Sequence, residues 1–112
     1  LSLVCTPGND VDAVTGLVAA GCNVVIFSTG LGTPTGNPIV PVLKVSTNSA
    51  LAKKMPDIID YDCGPIIEGT PLGDIADGLF EKIIATASGT WRTKADALEQ
   101  NDFMLWKRSL EL

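Results

Sequence analysis

Residues 23–46 read NVVIFSTGLGTPTGNPIVPVLKVS, and this stretch decides the fold. NVVIFS at 23–28 is a continuous β-branched and aromatic run, the signature of a strand covered on both faces. VLKVS at 42–46 reads as a second such strand. The thirteen residues between them hold three Gly, three Pro and three Thr. That composition excludes a regular helix or a central strand. A loop of this length inside a compact domain is uncommon and often functional.

Upstream, residues 10–20 predict a helix, with Val11, Val14, Leu17 and Val18 on one face, Asn9 as its cap and Gly21 as its stop. Asp10 and Asp12 sit in the first turn, where the helix dipole favours them. Residues 1–5 (LSLVC) read as a buried strand, so strand, helix and strand form a βαβ unit with parallel strands. A buried strand at the first residue carries the expectation that further chain precedes Leu1.

Downstream, Asn48 predicts the cap of a short helix through Lys54, ended by Met55-Pro56. Residues 57–62 (DIIDYD) read as a fourth strand or extended segment. Thr70 and Pro71 open the best helix pattern in the chain, through Ser88, with Leu72, Ile75, Leu79, Ile83 and Ala87 as its apolar stripe and Gly89 as its stop. Phe103 and Trp106 are expected to anchor the tail. The fold expected is one α/β domain over residues 1–112: a largely parallel sheet of about four strands, flanked by helices at 10–20 and 71–88 in Rossmann-like layering.

Composition narrows the function. The 112 residues carry 8 Lys and Arg against 13 Asp and Glu, a net charge of −5, and 46% are hydrophobic. A chain of this size buries roughly two-thirds of its unfolded surface. No basic stretch exceeds the pairs Lys53-Lys54 and Lys107-Arg108, which excludes a nucleic-acid footprint, and acidity disfavours anionic membranes. No apolar run is long enough to span a bilayer, and no signal peptide is visible. Cys5, Cys22 and Cys63 are odd in number and far apart, which suits small hydrophobes in a reducing cytoplasm. Without a histidine, the commonest general base and metal ligand is missing.

Four places offer chemistry. The first is the loop Thr29, Gly30, Leu31, Gly32, Thr33, Pro34, Thr35, Gly36. It follows a buried strand, so it belongs at a strand C-terminal end, where ligands of open α/β sheets bind. Its N–H groups and hydroxyls suit a carboxylate or polyol; a purely structural crossover is an equal alternative. The second is the turn at 6–10, where Asp10 is a candidate for holding a metal or hydroxyl and an ordinary cap is the plainer reading. The third is Lys44, with Ser46, Thr47 and Asn48: an inward Lys pairs with a carboxylate or acts as a base, an outward one is solvated. The fourth is Asp60, Tyr61 and Asp62, where two carboxylates suit a hard cation only weakly.

In this order, TPGND, then GLVAAGCNVVIFSTGLGTPTGNPIVPVLKVSTNSALAKKMPDIIDYDCG, resembles the C-terminal part of the altronate/galactarate dehydratase family. The likeness runs from about Leu1 to Trp106. TGLGTPTG followed by PVLKVSTN is its most distinctive part. The resemblance implies a C-terminal domain of a longer bacterial hydro-lyase, acting on a hexonate or hexarate such as altronate or galactarate. It further implies preceding domains as partners, a possible homo-oligomer, and a divalent metal (iron or manganese) in the full-length enzyme, with none evident in this fragment. The substrate-binding candidates are Thr29, Gly30, Gly32, Thr33, Thr35, Gly36, Lys44 and Asn48. Some members have Arg where this chain has Leu31, which bears on the sugar acid preferred; Cys63 stands where Ala is more usual. A non-catalytic assembly domain is the competing reading. A nucleotide-binding module is a third, opposed by the absence of GxGxxG and P-loop patterns.

Overall fold

A computed structural model of the chain describes residues 1–105. It is an α/β unit built on a three-stranded parallel sheet in the order β1-β2-β3. The strands are β1 (Val25–Thr29), β2 (Val42–Ser46) and β3 (Tyr61–Asp62). Four helices accompany them: α1 (Asp10–Ala19), α2 (Ser49–Lys54), α3 (Leu72–Ala87) and α4 (Lys94–Ala97), with a 3-10 turn at Gly64–Ile66.

The sheet has three strands, not four, because residues 1–5 form no strand. Leu1 and Leu3 stand fully in solvent, and among the described residues no strand pairs with this segment. The anticipated βαβ unit through residues 1–5 is therefore absent. The parallel pair is β1 with β2, in register from Val25 opposite Val42 to Thr29 opposite Ser46. Residues 30–41 join them without a helix. The segment expected as a strand over 57–62 contributes only β3. Ile58 and Ile59 instead donate back to the Met55 carbonyl in a turn after Pro56.

β2 is buried at all five positions, as a central strand must be, and Leu43 and Val42 are fully enclosed. Val14 of α1 packs with Val25, Val40 and Val42, and Leu17, Val18, Cys22 and Phe27 close around them. Helix α1 begins where Asn9 accepts a hydrogen bond from the Val11 N–H at 3.1 Å. Helix α2 begins likewise at Asn48, whose Oδ1 accepts from the Leu51 N–H at 2.8 Å. Both caps match the sequence reading.

Helix α3 departs from it twice. Its N-cap is Pro71, which makes no side-chain cap, rather than Thr70. Nor does it cover the sheet in a Rossmann-like layer: it leans on the 3-10 turn, and the Tyr61 hydroxyl donates to its Ile75 carbonyl at 3.0 Å. Lys82 sits 4.0 Å from the Trp91 ring centre, tying the end of α3 to the next segment. In the tail, Phe103 is 59% exposed, and its chain neighbours Asp102, through its carboxylate, and Met104, through its N–H, make the polar anchors. Asp102 accepts from the Gly36 N–H at 3.5 Å, and the Met104 N–H donates to Thr15 Oγ1 at 3.1 Å. Trp106, the second expected anchor, lies outside the described residues. No helix among the described residues is long and apolar enough to cross a membrane.

Candidate functional site

The Gly-rich loop leaves β1 at the C-terminal edge of the parallel sheet and divides into two halves with different surroundings. The first half, Thr29 to Gly32, stays at that edge beside the residues that follow β2. The Thr47 N–H donates to the Thr29 carbonyl at 3.2 Å. Asn48 Nδ2 donates to the Gly30 carbonyl at 3.5 Å, and Thr47 Oγ1 reaches the Thr29 carbonyl at the same distance. Thr29 Oγ1 accepts from the Gly32 N–H at 2.9 Å and closes a small turn. Gly30 and Leu31 are exposed, Leu31 to 88%. The ends of two adjacent parallel strands thus bring Thr29, Gly30, Thr47 and Asn48 together in the place where such sheets bind ligands.

The second half turns inward. Thr33, Thr35, Gly36 and Asn37 are buried. The hydroxyls of Thr33 and Thr35 bond each other at 2.9 Å. Lys44 lies fully enclosed beneath them, and its Nζ donates to the carbonyls of Pro34 at 3.3 Å and Thr35 at 2.5 Å. The two readings of Lys44 therefore resolve to the inward one, with backbone carbonyls as its partners. Burial holds its pKa below the ordinary lysine value, and the charges of Asp60, Asp96 and Asp102 offset this only in part.

The glycines divide differently, two being required by the fold and one not. Gly32 has φ +91°, and a Cβ there would strike the Met55 sulfur; a Cβ on Gly36 would strike the Gln100 carbonyl. Both are demanded by the fold. At Gly30 a Cβ would lie 3.5 Å from Thr47 Oγ1, an ordinary contact, so the fold makes no such demand there.

The acidic candidates act as backbone clamps. Asp60 accepts from the Lys44 N–H at 2.7 Å through Oδ2 and from the Lys94 N–H at 2.9 Å through Oδ1. Burial pushes its carboxyl pKa up, against these hydrogen bonds and the charges of Lys44 and Lys94. Asp62 Oδ1 accepts from the Gly64 N–H at 2.8 Å. Asp10 is exposed in the first turn of α1. Among the described residues, no three His, Cys, Asp or Glu side chains come together as a metal site. Asp60 uses both carboxylate oxygens and Asp62 one on backbone N–H groups, and with no third such ligand beside them among the described residues they do not fit the divalent metal that the resemblance implied, so no step is derived through it.

Two features escaped the sequence reading. Asp12 is 6% exposed, and its Oδ1 is a buried side-chain oxygen with no hydrogen-bond partner among the described residues. A cleft of about 420 Å³ opens where Asn37, Val40 and Pro41 meet Arg92, Asp96, Glu99 and Asn101. Its walls come from segments more than fifty residues apart, so no local pattern announces it.

Comparison with known proteins gives the family of the chain. Residues 1–111 match the family described as D-galactarate/Altronate dehydratase, C-terminal. The altronate dehydratase of Escherichia coli (strain K12) is 42% identical over 103 residues, covering 92% of this chain and 20% of that protein. The altronate dehydratase of Bacillus subtilis (strain 168) is 47% identical over 68 residues, 61% of this chain and 14% of the relative. The galactarate dehydratase (L-threo-forming) of E. coli is 38% identical over 92 residues, 81% of this chain and 18% of the relative. The chain thus spans a fifth or less of the length of these relatives. It belongs to the galactarate/altronate dehydratase C-terminal domain family.

Proposed function

We propose that this domain serves a hydro-lyase that converts a hexonate or hexarate, such as altronate or galactarate, to a 2-keto-3-deoxy sugar acid, and that its part is to hold the substrate. The observation that carries the reading is the meeting of Thr29–Gly30 with Thr47–Asn48 at the C-terminal edge of the sheet. The exposed Gly30–Leu31 backbone and Thr47 hydroxyl there suit the carboxylate and hydroxyls of a sugar acid, while Asn48, bonded to the Gly30 carbonyl and the Leu51 N–H, fixes their placement. Thr33, Thr35, Gly36, Gly32 and Lys44 support this edge from behind by fixing the loop.

The reaction removes the proton on the carbon beside the carboxylate and the hydroxyl on the next carbon as water; the resulting enol becomes the ketone. It needs a base, an acid and stabilisation of the enediolate. We assign those groups, and the divalent metal, to the part of the dehydratase outside this chain, together with any contacts that build a homo-oligomer.

Gly30→Ala in the complete dehydratase tests the proposal, because the fold accepts that methyl group. A rise in KM for altronate or galactarate of tenfold or more, with an unchanged circular dichroism spectrum, is expected. Unchanged kinetics would favour the second reading, an assembly domain. One observation speaks for that alternative: the polar groups of Thr33, Thr35 and Lys44 are bonded within the chain and not offered to a ligand.

A further inference from the structure

Helix α3 carries apolar residues on two faces. Ile75, Leu79 and Ile83 lean inward and are half-buried. On the other side Gly73, Ala76, Phe80, Ile84 and Ala87 recur at spacings of three and four, and all five are exposed. Phe80 is 61% and Ile84 52% exposed, large values for side chains in the middle of an ordered helix. Asp77 and Glu81 run along one border of this outer stripe, and both are exposed.

Two observations identify what covers it. The first is charge. The basic residue of α3, Lys82, lies on the inner side against Trp91, so nothing on the helix offsets the acidic border. A second copy packed through a two-fold axis would bring Asp77 and Glu81 against their own equivalents, and the chain is acidic throughout at −5. The outer stripe therefore suits an apolar surface edged with Lys or Arg. The second is length. The relatives extend over at least four-fifths of their chains beyond the region matched here.

We infer that the outer face of α3, centred on Phe80 and Ile84, is the docking surface for the remaining part of the dehydratase, which meets it with an apolar face edged by Lys or Arg. The inference rests on family membership and the geometry of α3. It does not depend on the substrate-binding reading of the Thr29 edge.

Hydrogen exchange along α3, followed in the complete dehydratase and in the 112-residue chain, tests it. The α3 amides are expected to exchange at least tenfold more slowly in the complete protein. Phe80→Asp with Ile84→Asp should remove that difference, while leaving the circular dichroism of the 112-residue chain unchanged because both side chains are already in solvent. Asp77→Lys with Glu81→Lys should also reduce the protection. Equal exchange in both contexts overturns the inference. So does a dimer of the 112-residue chain that Phe80→Asp dissolves, which would make a second copy the occupant. Protection that responds to the Phe80 and Ile84 changes but not to the charge reversals overturns the basic edge assigned to the partner.

Discussion

Lys44 donates its ammonium proton to the Thr35 carbonyl at 2.5 Å, across nine residues of chain, with no part of its side chain in solvent. A strand residue thereby holds the inner half of the Gly-rich loop from below. A buried ammonium is costly unless it is paired and hydrogen-bonded, and here backbone carbonyls do most of the bonding.

Lys44→Met should alter the pH dependence of stability more than stability itself. Removing the ammonium leaves the Pro34 and Thr35 carbonyls without a donor, at about 1–3 kcal/mol, and relieves the desolvated charge by a similar amount. The lowered Lys44 pKa means that, between that value and 10.5, the unfolded chain binds more protons than the folded one. Its contribution to stability therefore rises with pH across that window and is lowest beneath it. Urea unfolding at several pH values approaching 10.5 should show a smaller gain with pH in the variant than in the parent. An identical gain would mean that the ammonium titrates as if solvated.

Asp60→Ala should cost about 2 kcal/mol, because it strips the acceptor from two backbone N–H groups at once, those of Lys44 and Lys94. Denaturant melts measure this directly. A loss below about 0.5 kcal/mol, the usual scatter of surface changes, would show that water replaces the carboxylate at both positions.

The loop glycines should separate by role. Gly32→Val places a β-branched residue at φ +91° against the Met55 sulfur and should destabilise the domain by about 2 kcal/mol or more. Gly30→Ala should leave thermal unfolding within about 0.5 kcal/mol of the parent, any effect appearing in substrate binding. The same melting temperature for both variants would refute the finding that the fold demands glycine at 32 and not at 30.

The 112-residue chain should not dehydrate sugar acids. Elimination requires base, acid and electrophile at one point; Asp60 has both carboxylate oxygens on backbone N–H groups, Asp62 has one, and Lys44 is bonded to loop carbonyls. The assay supplies iron(II) or manganese(II) with altronate or galactarate and follows the keto-deoxy product. Turnover matching that of the complete enzyme would return a catalytic role to Lys44, Asp10 or Asp62.

What the sequence determined by itself was local, or spread over the whole chain. The run at 23–28 and VLKVS yielded β1 and β2 because β-branched residues suit a pleated surface, but the expected cover on both faces holds for β2 alone: β1 alternates, with Ile26 48% exposed, because it is an edge strand. Asn9 and Asn48 marked helix starts correctly because a cap bonds an N–H only two or three residues away. The family was legible because its motifs recur in order along almost the entire length. Tertiary structure decided the rest. LSLVC has a strand's composition, but a strand exists only where a neighbour pairs with it, and none does so among the described residues. The two directions open to Lys44, and the change of Asp60 from candidate cation ligand to double clamp, turned on partners nine to thirty-four residues away. Helix α3 shows the same limit: its apolar pattern announced a helix with something to bury, while only packing revealed that one face stays open. Periodicity encodes what a segment has to bury, and the surface that buries it is chosen by contacts distant in sequence.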